Sequence, residues 1–237
     1  MSSAPPRRLW MLQGTQISAS FAALYDDGEN GPVPEVITEG NRTYSGSRAD
    51  LLTLNSLQAR AFAQATEEVA AYFSTRPNSC DVSELTCFQN VFRELGSRAW
   101  RRPLTDSEIL RLRDVYESGA LVSAEDGVRF AMLALLQAPQ FLFRTELGEE
   151  TETEAYELTP HEIASQLAFT LWNEPPDETL TQLANSGDLS NPEEVRRQVT
   201  RMVEDPRTSR LIGGFLEEWT GVSGLTERES LVRRLVP

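Results

Sequence analysis

The residues able to do chemistry are few. Two cysteines, Cys80 and Cys87, have six residues between them, Asp81 to Thr86. That spacing suits a short disulfide loop at the entrance to a helix, and equally two buried thiols. It matches neither a Cys-x-x-Cys redox pair nor a zinc pair. Cys87 is followed by Phe88, so the Cys-x-x-Cys-His segment of covalent haem is missing and no cofactor is expected. The single histidine, His161, stands in the first turn of a capped helix, where an exposed position is expected rather than a catalytic base. One histidine also argues against a histidine-rich metal site.

Two further clusters have the right residue types. Glu174, Asp177 and Glu178 lie near Trp172, beside Pro175 and Pro176. A paired-acid hydrolase acting on carbohydrate needs two carboxylates in a cleft with an aromatic platform. The structural reading is that Asp177 caps a helix. Trp100 is followed by Arg101, Arg102 and Pro103. These arginines could clamp an anion. The favoured reading is structural: they pack on Trp100 and bond carbonyls at a helix C-terminus. No G-x-S-x-G elbow or phosphate loop is present; Gly213-Gly214 and Gly221/Gly224 suit helix packing or termination.

The elements that must position these residues are helices. Of 237 residues, 40% are apolar and 24% charged, an ordinary globular balance that suits one large or two small domains. Apolar residues recur at helical steps over 8–25 (Leu9, Leu12, Ile17, Phe21, Leu24) and over 54–74 (Leu57, Ala61, Ala65, Val69). The same steps recur from Leu85 to Ala99. Thr105 to Glu108 is a capping box opening a helix that carries Ile109, Leu112 and Tyr116. Ser123 starts an almost wholly apolar helix, placed at the centre of a bundle and closed by Pro139. Phe141 to Phe143 reads as a short strand or an extended tether.

Thr159-Pro160, Asn191-Pro192 and Asp205-Pro206 each put a side-chain acceptor at the N-cap and proline at the first helical position. A short helix from Pro176-Asp177 ends near Gly187. Residues 26–50 read as loop, and 231–237 as an amphipathic segment. The fold expected is all-α: an irregular bundle of about eight to ten helices in two subdomains. Residues 1–145 form one subdomain, the acidic run 146–157 a solvated linker, and 158–237 the other.

The net charge is −14, from 36 acidic and 22 basic residues. Such a surface disfavours nucleic acid and anionic membranes, and a basic partner suits it better. No apolar run reaches the ~20 residues of a membrane span, so no membrane insertion is expected. No secretory signal is visible at the start, which leaves a cytoplasmic location as one alternative.

Three segments resemble consecutive modules of large exported bacterial proteins. The first is Tyr44 to Phe73, with Ala49-Asp50-Leu51-Leu52 leading to Ala65-Thr66-Glu67-Glu68-Val69-Ala70. The second is Cys87 to Arg144, through Ala99-Trp100-Arg101-Arg102-Pro103-Leu104-Thr105 and Pro139-Gln140-Phe141-Leu142-Phe143-Arg144. The third is Leu158 to Trp219, through Glu162 to Trp172, Pro176-Asp177 and Arg201 to Arg207. The chain thereby resembles the planctomycete-type cytochrome-c-associated domains of unknown function. Arg-Arg-Pro-Leu and Phe-Leu-x-Arg together are the most specific part.

The resemblance implies export to the periplasm or cell surface, and with it a Cys80–Cys87 disulfide. It implies redox-linked work beside a cytochrome, since many members carry an attached cytochrome c domain. No catalytic residue is established for these modules, so none carries over. The chain departs from the pattern in having no haem motif and an opening helix, Leu9 to Leu24, that fits only loosely.

The function expected is that of a non-catalytic helical module, binding a partner protein such as a cytochrome. A carboxylate-dependent hydrolase and a scaffold subunit of a larger oligomer are the alternatives. Trp100, Arg101, Arg102, Arg144, Trp172, Asp177 and Trp219 are the candidate interaction or structural positions.

Overall fold

The computed structural model describes residues 7–25, 30–36, 55–76, 80–150 and 156–220; of the side chains in the last helix, those of 214, 215 and 217–220 are not described. The loop reading at 26–50, apart from 30–36, lies outside the described residues, as do the amphipathic segment 231–237 and Gly221/Gly224.

The described chain is predominantly helical, with ten α-helices and four short strands. They run β1 Arg8–Met11, α1 Gly14–Ala22, α2 Ser56–Thr75, α3 Leu85–Trp100, α4 Asp106–Ala120, α5 Ala124–Leu136 and α6 Pro139–Leu142. Then follow β2 Phe143–Glu146, β3 Glu149–Glu150, β4 Tyr156–Glu157, α7 Pro160–Leu171, α8 Glu178–Ser186, α9 Pro192–Glu204 and α10 Pro206–Thr220.

Side-chain caps set most helix starts. The Asn55, Thr105, Ser123, Thr159, Asp177 and Asn191 side chains each accept a first-turn amide of the helix they open. α5 packs against both α2 and α4 and buries Val128, Ala131, Met132, Leu135 and Leu136. Its outer face carries exposed Phe130, and Arg129 ion-paired to Glu67. It is therefore central but not buried all round.

The opening segment differs from the sequence expectation. Residues 8–11 are not helical: Arg8–Met11 pairs antiparallel with Phe143–Glu146, in the register Trp10↔Arg144. Helix α1 begins only at Gly14. The Leu9–Leu12 step imitates a helical stripe, but the extended chain leaving α6 offers backbone partners that a helix would forgo. Leu12 N–H then donates to Leu142 C=O at 2.9 Å and ties the two segments together.

Within the acidic run, β3 pairs with β4. The start of that run is bonded to α7. The buried Glu162 carboxylate accepts the amides of Leu147 (2.8 Å), Gly148 (3.1 Å) and Thr159 (3.0 Å). One capping-box acid thus fixes the helix start and the approach to it.

The buried apolar residues form two clusters. The larger joins α1 through α6 and includes Phe21, Phe88, Phe92, Met132 and Phe141. The smaller joins α7, α8 and α9 through Ala164, Ala168, Trp172, Leu180, Leu189 and Met202. Helix α7 serves both, since its Phe169 belongs to the larger one. No described helix is long and apolar enough to cross a membrane.

Candidate functional site

Arg101 ends α3 in the left-handed region, with φ 58°. For a residue with a Cβ this costs about 1 kcal/mol, but it turns the side chain back into the protein. Its Nη1 donates to Ala99 C=O at 3.0 Å. Its Nη2 is shared among the carbonyls of Gln140 (2.6 Å), Phe141 (3.2 Å) and Phe143 (3.0 Å). The guanidinium also lies 5.7 Å from the Phe169 ring centroid.

No carboxylate approaches Arg101 among its described contacts. Burial, then the charge of nearby Arg144, pushes its pKa down to about 10. Carbonyl dipoles replace the water that burial removed. Arg101 therefore joins α3, the α6–β2 corner and α7.

Arg144, opposite Trp10 on the two-stranded sheet, lies over that ring and pairs with Glu146 at 3.0 Å. Burial lowers its pKa too. The Arg-Arg-Pro-Leu and Phe-Leu-x-Arg segments are thus two sides of one corner.

Arg102 does different work. It lies 5.4 Å from the Trp100 centroid and forks onto Glu108 at 2.7 and 3.0 Å. That contact first, with help from the Thr105 amide, holds the Glu108 carboxyl down at about 2 against the cost of burial. Trp100 itself is buried and donates its Nε1 to Leu135 C=O at 3.0 Å.

A second arginine–tryptophan arrangement lies in the smaller cluster. Trp172 is buried and donates its Nε1 to Met202 C=O. The guanidinium carbon of Arg207 is 3.4 Å from its ring centroid, and that of Arg201 is 5.3 Å away. Carboxylates surround both arginines. Arg201 forks onto Asp177 at 2.7 and 3.3 Å, and Arg207 onto Asp205 at 2.8 and 3.0 Å. Glu174 reaches Arg207 at 3.5 Å. The Arg207 contacts hold the Asp205 carboxyl at about 2.

The acids that suggested a hydrolase are therefore engaged. Asp177 caps α8 through the Leu180 amide while it holds Arg201, and Glu178 accepts from Gln182. Trp219 lies on α10, with its side chain outside the described set. His161 is partly buried rather than exposed, with its Nε2 3.0 Å from Asn185 Oδ1.

Cys80 and Cys87 form a disulfide at the entrance to α3. Arg113 holds the intervening loop from inside. It donates to Val82 C=O at 3.2 Å and Ser83 C=O at 2.8 Å, and lies over Phe88 and Tyr116. Among the described residues, no group of three or more metal-ligating side chains gathers.

One compositional signal underlies all these sites: every one of the 22 basic residues is arginine. A planar fork can stack flat on a ring and grip a carboxylate by two parallel bonds, a geometry that a compact ammonium does not offer. What the composition does not disclose is which acceptors each arginine reaches.

Residues 87–146 match the family model of PSD5, described as a protein of unknown function (DUF1595). Residues 158–233 match that of PSD4, likewise a protein of unknown function (DUF1592). No curated protein and no solved structure matches the chain. The first matched segment contains Arg101, Arg102 and Arg144, and the second contains Trp172, Arg201 and Arg207. The Arg102–Trp100 contact thus falls within the first matched segment and the Trp172 stack within the second, while Trp10, the partner of Arg144, lies outside both.

Proposed function

We propose that this chain is a non-catalytic helical module of an exported, redox-linked assembly, and that it binds a partner protein. One observation carries the reading. The described groups best suited to chemistry are committed to the fold as carbonyl staples, helix caps, arginine pairs and a disulfide. What they leave outward is a chain with net charge −14. The two matches to domains of unknown function agree with such a module, and the disulfide suits an exported protein.

On this reading the chain carries no cofactor of its own, and the redox group belongs to the partner. A cytochrome that presents lysines is the natural counterpart of an acidic module, because complementary charge steers the encounter. Calorimetric titration with a soluble, lysine-rich cytochrome c tests this. Binding at low ionic strength that weakens as salt is raised supports the proposal. No binding at any ionic strength removes it.

A further inference from the structure

The two most exposed large apolar residues described are neighbours. Leu121 is 88% exposed and Val122 is 79% exposed. They form the tip between α4 and α5. Glycine, asparagine, aspartate or serine usually fills such a tip, because each assists the turn. Neither the bends nor the core needs leucine and valine here. Val122 N–H donates to Gly119 C=O at 2.9 Å, and Ser123 caps α5 through the Asp126 amide at 3.0 Å.

The two helices pack closely behind the tip. A Cβ on Gly119 would lie 2.6 Å from the Asp126 carbonyl oxygen, and one on Gly127 would lie 2.8 Å from the Tyr116 ring. The two glycines therefore let α4 and α5 approach closely just behind the apolar pair.

Close along the chain, acidic side chains outnumber basic ones, although exposed Arg111 lies among them on α4 and Glu117 is paired with Arg113. Asp114, Glu117 and Glu125 are exposed around the tip, and no basic residue occurs from Ser118 to Val128. Behind it, Arg113 is turned onto Glu117 and the disulfide loop, and Arg129 onto Glu67.

We infer that the α4–α5 tip is the docking point for a partner protein that offers an apolar notch rimmed by lysine or arginine. This rests on the partner-binding reading above and adds where the contact is made. Leu121 and Val122 enter the notch while the acidic rim meets the basic one. A second copy would bring an acidic rim against an acidic rim, and an anionic lipid surface would be repelled likewise.

The test uses the full chain and a soluble cytochrome c whose haem edge is apolar and ringed by lysines. Leu121→Ser/Val122→Ser and Glu117→Gln/Glu125→Gln are titrated beside the unchanged protein, with thermal unfolding confirming the fold of each. The serine variant should bind about tenfold more weakly or worse with its salt dependence retained. The glutamine variant should lose part of the salt dependence.

Unchanged affinity of the serine variant, while the parent binds, overturns the site and leaves the partner-binding reading standing. Failure of the parent to bind removes both. A parent dimer that the serine variant turns into a monomer would assign the tip to self-association and overturn the proposal. Parent binding to phosphatidylglycerol vesicles that the serine variant loses would do the same in favour of a membrane.

Discussion

The Arg101 corner and the Trp172 stack use the same side chain in opposite ways. Arg101 is buried, and its four described acceptors are all main-chain carbonyls. Arg201 and Arg207 stay partly exposed, stack on one indole and meet carboxylates. Carbonyl dipoles complete a guanidinium without bringing in a second charge to desolvate. Where water remains, a carboxylate partner costs little, contributes little, and is screened by salt. The first arrangement decides whether a corner of the fold closes; the second trims a helix junction.

The largest consequence is at Arg101. Arg101→Ala leaves the carbonyls of Gln140, Phe141 and Phe143 without their shared donor and should cost about 3–5 kcal/mol in denaturant unfolding. A loss under about 1 kcal/mol would mean that the corner closes without it.

Next comes the disulfide. Cys80→Ser/Cys87→Ser should lower stability by about 2–3 kcal/mol, as expected for so short a loop. Arg113 still holds Val82 and Ser83, so the far-ultraviolet helical signal should persist in the variant.

The Trp172 region should respond less. Asp177→Ala removes both a helix cap and an arginine partner, and should cost about 1–2 kcal/mol. Part of that difference should disappear in high salt. Asp177→Asn keeps the cap and should recover most of it.

Acid provides the mildest probe. Glu108 titrates at about 2 in the fold against 4.5 when unperturbed. A lowered carboxyl contributes stability that is fully present above the unfolded value and is lost as pH falls from 4.5 towards about 2. Unfolding followed across that window should therefore show a shallower decline for Glu108→Gln than for the parent. Parallel curves would contradict the Arg102–Glu108 pairing.

Local signals in the sequence were strong where one residue does a local job. Asn191-Pro192 and Thr159-Pro160-His161-Glu162 mark helix starts because cap, proline and acid act within four residues. The structure begins α9 at Pro192 and α7 at Pro160 accordingly. The β1 strand was not legible, because four residues carry too little periodicity to beat the Leu9–Leu12 step, and the partner strand lies far along the chain. The Arg101 staple was half legible. A bond to its own helix end could be read from Ala99, but Gln140 and Phe143 stand 39 and 42 residues away. Glu162 was legible as a capping acid and not as the acceptor for Leu147 and Gly148, since nothing local marks a helix cap that reaches outward.

The most direct test of this contrast is denaturant unfolding of Arg101→Lys and Arg207→Lys, each at low and high salt. Lysine keeps the charge and removes the planar fork. Arg101→Lys should lose about 2–4 kcal/mol at either salt concentration, because its acceptors are buried neutral carbonyls. Arg207→Lys should lose about 1 kcal/mol or less, shrinking as salt rises. Equal, salt-sensitive losses at the two positions would contradict the account and make Arg101 an ordinary charge pair.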